Sequence, residues 1–157
     1  MDYYIIEPEV AGGIGENTIY EECEESNRRY EIKHLHFVFE GWLGDQLLEV
    51  TPCFLVSEKI KNAIQKNMLT GCSFQDVEIS CSEEFVELNY YKNIPLFYRM
   101  IPLNVFDEKE NYNDNNTIFY DFMITENKSL VISEKAKKIL EENKAIEYAE
   151  LIMMKGK

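Results

Sequence analysis

Long apolar runs are missing from this 157-residue chain. No stretch approaches the ~18 residues that a helix needs to cross a bilayer. The opening Met-Asp-Tyr-Tyr lacks the apolar core of a secretory leader. The expectation is a cytoplasmic protein with no membrane attachment. Cysteine is sparse: Cys23, Cys53, Cys72 and Cys81 form no C-x-x-C pair. That removes the zinc-knuckle and thioredoxin-type spacings and fits reduced, mostly buried thiols. His34 and His36 are the only histidines. They alternate on a strand and could share an ion, but zinc needs three or four ligands. We therefore expect no metal and no cofactor, and keep a metal-dependent enzyme using His34 and His36 as an alternative.

Basic residues are absent before Arg28, while residues 1–25 hold Asp2, Glu7, Glu9, Glu16, Glu21, Glu22, Glu24 and Glu25. These eight carboxylates dominate a net charge of −13. Such a surface repels phosphate backbones and anionic lipid, so neither nucleic acid nor membrane is an expected partner. It attracts a basic protein instead. Gly12-Gly13-Ile14-Gly15 reads as a loop. It is no dinucleotide fingerprint, since position 18 is Thr, and no Gly-Lys-Ser/Thr follows.

What the chain does contain is a segment used twice. Ser57-Glu58-Lys59-Ile60-Lys61 opens a stretch ending at Asn67, and Ser133-Glu134-Lys135-Ala136-Lys137 opens one ending at Asn143, 76 residues on. Asp45 and Asp121 stand at the same offset upstream. Each serine is a good helix N-cap, followed by an acidic first turn and an apolar stripe at helical spacing. The unit predicted is strand, helix, strand, present twice. Tyr3–Ile6, Lys33–Phe39, Phe74–Ser80, Leu96–Ile101, Thr117–Tyr120 and Ile146–Met154 read as further β-structure, Gln46–Val50 as a short strand or one helical turn, with another helix near 83–89 capped by Ser80 or Ser82. The fold class predicted is α+β, mainly antiparallel sheet with about three helices. One domain is expected over 1–157, with lobes 1–104 and 117–157 joined by a polar loop at 105–116. Trp42, between two glycines, is a core plug or an exposed contact anchor, and the core is favoured.

No catalytic group recurs with the repeat, and no cysteine sits in an activating context, so the chain reads as a binder rather than an enzyme. The candidate partner-binding residues are Tyr20 as an anchor with Glu21, Glu22, Glu24 and Glu25 for steering. Asp107, Glu108, Glu110 and Asp114 form a second acidic patch.

Three stretches in order carry a family resemblance: Tyr-Ile-Ile-Glu-Pro-Glu-Val-Ala-Gly-Gly-Ile-Gly-Glu-Asn-Thr near the N-terminus, Gly41-Trp42-Leu43-Gly44-Asp45 after an aromatic strand, and Leu55-Val56-Ser57-Glu58 leading to Leu69-Thr70-Gly71 and Phe74. Over residues 3–150 the chain resembles a bacterial family first catalogued as a domain of unknown function and later assigned to the immunity proteins of polymorphic toxin systems. The resemblance implies a cytoplasmic protein that binds and neutralises a cognate toxin. It carries no site residues with it. The acidic stretch Glu21–Arg29 departs from the family's usual pattern, which marks it as a candidate for partner specificity. A structural, self-assembling protein is the other alternative, and a homo-oligomer through β edges stays open.

Overall fold

The computed structural model describes residues 2–23, 29–89, 93–107 and 120–154. The chain is α+β, with mostly antiparallel sheets. In order the elements are β1 (Tyr3–Glu7), β2 (Gly12–Ile14), β3 (Ile19–Cys23), β4 (Arg29–His34), β5 (His36–Phe39), β6 (Leu47–Val50), β7 (Cys53–Ser57), α1 (Glu58–Lys66), β8 (Cys72–Asp76), β9 (Glu78–Cys81), α2 (Glu83–Leu88), β10 (Phe97–Pro102), β11 (Phe122–Ile124), β12 (Leu130–Ser133), α3 (Glu134–Glu142) and β13 (Glu150–Met154).

The duplication is structural down to single hydrogen bonds. Ser57 Oγ accepts from Ile60 N, and Ser133 Oγ accepts from Ala136 N. Each serine hydroxyl also donates backward, to Gln46 Oε1 at 2.6 Å and to Asp121 Oδ1 at 2.7 Å. The helices stop in the same way. Asn67 and Asn143 return a side-chain N–H to Ala63 O and Ile139 O, and the next residues, Met68 and Lys144, adopt φ of 53° and 54°. That left-handed step frees the chain from the helix and satisfies its last carbonyls.

Two four-stranded sheets follow the same plan, β6-β7-β10-β8 and β11-β12-β1-β13. In each, the strand entering the helix pairs antiparallel with a third strand, which pairs antiparallel with the strand after the helix. The third strand comes from different places. The first unit takes β10, downstream of its helix; the second takes β1, from the start of the chain. Tyr3 lies opposite Ser133 as Phe97 lies opposite Ser57. A cut into residues 1–104 and 117–157 therefore divides the second sheet, and most of the loop drawn at 105–116 lies outside the described residues.

One core joins the units. Phe54, Val56, Ile60, Ile64 and Leu69 meet Leu130, Ile132, Ala136, Leu140 and Ala145, their counterparts 76 residues on, and Ile6 of β1 and Met100 of β10 complete it. β7 is buried on both faces: Phe54 and Val56 point here, while Cys53 and Leu55 point into a second core with Phe37, Phe39, Phe85 and Phe97. That second core lies under the sheet β2-β5-β9 and α2.

Several sequence expectations are corrected. Gly12–Ile14 is not a loop but a strand against β5, with Gly12 opposite Phe39. A Cβ on Gly12 would stand 2.0 Å from Val38 O, so only glycine permits that approach. The Lys33–Phe39 strand breaks at Leu35, and the two pieces join different sheets. Phe74–Ser80 likewise divides at Val77 between β8 and β9. Ser82, not Ser80, caps α2; Ser80 is turned toward His36. Trp42 is not a core plug but 52% exposed. It sits where the chain crosses between the units rather than on a strand facing either core.

Candidate partner-binding surface

β3 and β4 form a two-stranded ribbon outside the larger sheets. Two ties hold it down. Ile32 is buried in the second core, and its carbonyl accepts from Arg99 Nη1. Thr18, just ahead of β3, accepts from His36 N and donates to His36 O. Among the described residues the ribbon shows Ile19 (52% exposed), Tyr20 (53%), Glu21, Glu22, Glu31 and Lys33 to solvent. Glu21 lies directly opposite Glu31. Like charges facing each other across strands destabilise a hairpin by roughly 0.2–1 kcal/mol. Of the expected site residues, Tyr20, Glu21 and Glu22 are thus brought together and exposed. Asp107 is also exposed, but in the segment after β10; its neighbour Phe106 is buried against Tyr3 with ring centroids 5.5 Å apart. Glu24, Glu25, Glu108, Glu110 and Asp114 lie outside the described residues.

The histidines gather around a residue the sequence could not point to. Glu78, at the start of β9, lies 3.0 Å from His34 Nε2 through Oε1 and 3.5 Å from His36 Nε2 through Oε2. Asn17 Nδ2 donates to Glu78 Oε2 at 2.7 Å. Asn17's bond first, then His34's, holds the Glu78 carboxyl below the usual carboxylate range. His36 is buried, with both nitrogens engaged. Its Nδ1 accepts from Asn17 N, so Nε2 is left to donate to Ser80 Oγ at 2.7 Å. That tautomer follows from the hydrogen bonds around it. A metal would have to displace one of them. Among the described residues no group of three histidine, cysteine or acidic side chains is arranged to hold an ion.

An open cleft of ≈ 390 Å³ runs between the ribbon and β10, lined by Glu21, Glu31, Lys33, Cys53 and Arg99 among others. Cys53 is 2% exposed, and burial pushes its thiol up against the opposing pull of Arg99. Burial, helped by Asp121, pushes Cys72 up to about 12. Burial raises Cys81 as well. None of these three thiols is poised as a thiolate nucleophile.

Sequence reading also missed a loop tied down by long-range hydrogen bonds. Glu9 accepts from Gly44 N and Asp45 N, at 3.1 and 2.6 Å. Asp45 in turn accepts from Glu147 N and Tyr148 N, at 2.9 and 2.8 Å. Burial raises the pKa of Asp45, the two backbone donors oppose that, and Glu9 and Glu147 add to it. Trp42 packs edge-to-face on Tyr148, centroids 4.6 Å apart and planes at 84°. The one sequence signal was Asp45 itself, at the repeat offset from Asp121. No family model matches the chain, and no curated protein matches it.

Proposed function

We propose that this is a non-enzymatic immunity protein that binds a basic bacterial toxin and blocks it by occupancy. The observation that carries the reading is the β3–β4 ribbon. A short ribbon pinned by Ile32 and Arg99 exposes an apolar and aromatic pair, Ile19 and Tyr20, beside Glu21 and Glu22. Aromatic anchors on a fixed element ringed by charge suit docking, with the carboxylates steering encounter. The family resemblance and the net charge of −13 supply the class of partner.

The test is association with the toxin encoded by the neighbouring upstream gene. Glu21→Lys with Glu22→Lys should slow association about 10-fold at low salt and flatten its salt dependence. Unchanged kinetics would remove the ribbon from the interface. An upstream gene with no toxic product would remove the immunity role.

A second reading, self-assembly, has one observation of its own. β13 is an edge strand of its sheet, and Ile152 and Met153 are 55% and 49% exposed there. Among the described residues no strand pairs with its outer side, and an edge with apolar side chains invites strand pairing with another copy. Sedimentation across a range of concentrations separates a self-associating chain from a monomer.

A further inference from the structure

The two units are tied together at two crossings. Where the units cross, a carboxylate from each holds the loop that follows the other's helix. Asp121 Oδ2 accepts from Thr70 N and Thr70 Oγ1, and Asp45 accepts from Glu147 N and Tyr148 N. At the first crossing the neighbouring side chains, Cys72 and Tyr120, are half-buried. At the second, Trp42 and Tyr148 stand 52% and 56% exposed. The counterpart of Trp42 at that offset, Ile118, lies outside the described residues, while Tyr148 is exposed where its counterpart Cys72 is half-buried.

Three properties make this pair a docking surface. It is rigid, because Glu9 and Asp45 hold four backbone amides around it. A Cβ on Gly44 would lie 2.3 Å from Trp42 Cη2 and 2.8 Å from Tyr148 Cε2, so the bare glycine lets both rings close over the loop. It is anionic: Glu9 accepts from the amides of Gly44 and Asp45, the Asp45 carboxylate accepts from those of Glu147 and Tyr148, and Glu147 is the residue before Tyr148. Among the described residues none of these three has a cation partner. Finally, its rings lack the cover that other tyrosines have. Lys61 Nζ sits 4.1 Å from the centroid of Tyr98, and Lys137 Nζ, at the equivalent place in the second unit, 4.7 Å from that of Tyr4. No described lysine or arginine lies over Trp42 or Tyr148.

We propose that the Trp42–Tyr148 platform binds an arginine-bearing segment of a basic protein, with the guanidinium stacked on the rings and balanced by the carboxylates beneath. Arginine fits better than lysine because its planar, weakly hydrated cation stacks on an indole while still donating to carboxylates. The site rests on the partner-binding reading above, but not on the partner being a toxin.

Trp42 is the sole tryptophan, so its emission reports on the site directly. The probes are nona-arginine and nona-lysine, equal in charge, titrated by calorimetry and by fluorescence. Nona-arginine should perturb Trp42 emission and bind the wild-type chain roughly 2- to 5-fold more tightly than nona-lysine, the worth of one exposed cation–π contact. Trp42→Ala and Tyr148→Ala should reduce that preference, and Tyr20→Ala should leave it intact. Equal binding of the two peptides, a silent tryptophan, or a preference that survives Trp42→Ala would overturn the proposal. Loss in Tyr20→Ala alone would move docking to the ribbon and overturn it too. The wild-type emission measurement needs no variant to fold. A chain that binds nona-arginine through Trp42 yet fails to protect against the upstream gene product would sink the immunity role alone.

Discussion

Asp45→Ala should destabilise the protein through residues more than 100 positions away. The carboxylate accepts from Glu147 N at 2.9 Å and Tyr148 N at 2.8 Å. A hydrogen bond to a charged group is worth about 1.5–3 kcal/mol, and truncation leaves two amides without their acceptor. Against this stands the burden of the charge itself. Asp45 is 1% exposed, and its pKa is raised, first by burial and further by Glu9 and Glu147. Removing a disfavoured charge returns part of the loss, so we expect a net cost of about 1–3 kcal/mol. For a chain of this size that lowers Tm by about 3–9 °C. Asp45→Asn keeps the volume and one acceptor while shedding the charge, and should cost less than the alanine. The pH dependence carries a sign. A carboxyl whose folded pKa lies above its unfolded value holds its proton more readily when folded. Its contribution therefore grows as pH falls from above the folded pKa toward the unfolded one, and is constant below both. Wild type should gain on Asp45→Asn over that interval. Urea denaturation from pH 7 downward measures all three quantities. An alanine variant within about 0.5 kcal/mol of wild type, or an asparagine variant that loses as much as the alanine, would refute the account.

Three further outcomes follow from the geometry. Ile64→Ala and Leu140→Ala truncate equivalent helix positions facing one core, so each should cost about 2–5 kcal/mol, with the two values close; a large disparity in urea titration would show that the halves do not share the core equally. Gly12→Ala places a Cβ against the Val38 carbonyl and should cost about 1–3 kcal/mol, whereas Gly13→Ala, which meets nothing within 4 Å, should be far milder. Asn17→Ala should raise the Glu78 pKa, read by carboxyl NMR titration, because Asn17 supplies the largest of the effects that lower it; an unmoved titration would assign the depression to the histidines.

Much of the scaffold was legible along the chain. Ser57 and Ser133 announced their helices because N-capping is local chemistry, settled within four residues. The apolar stripes of α1 and α3 were readable because a helix repeats its buried face every three to four positions. Candidate site residues were legible only in kind. The carboxylates at Glu21 and Glu22 read as solvent-facing, since a run of carboxylates with no cation beside it is seldom buried. Trp42 was misread because burial is not a property of a residue type. A large indole between glycines packs inside or projects according to what lies across the crossing, and here that is Tyr148, 106 residues away. Glu78 gave no signal, since it meets His34 across a separation of 44 residues.

The linear order of residues thus settled the capping, the helical faces, the duplicated unit and the sign of the surface field, because each depends on near neighbours or on simple totals. Only the folded chain decided that β1 would serve as the third strand of the second sheet and β10 of the first. Only there do the units exchange carboxylates across their crossings, and the rings of Trp42 and Tyr148 come to stand exposed together. Strand pairing and long-range hydrogen bonds join groups by complementarity in space, and nothing in their spacing along the chain encodes which partners will meet.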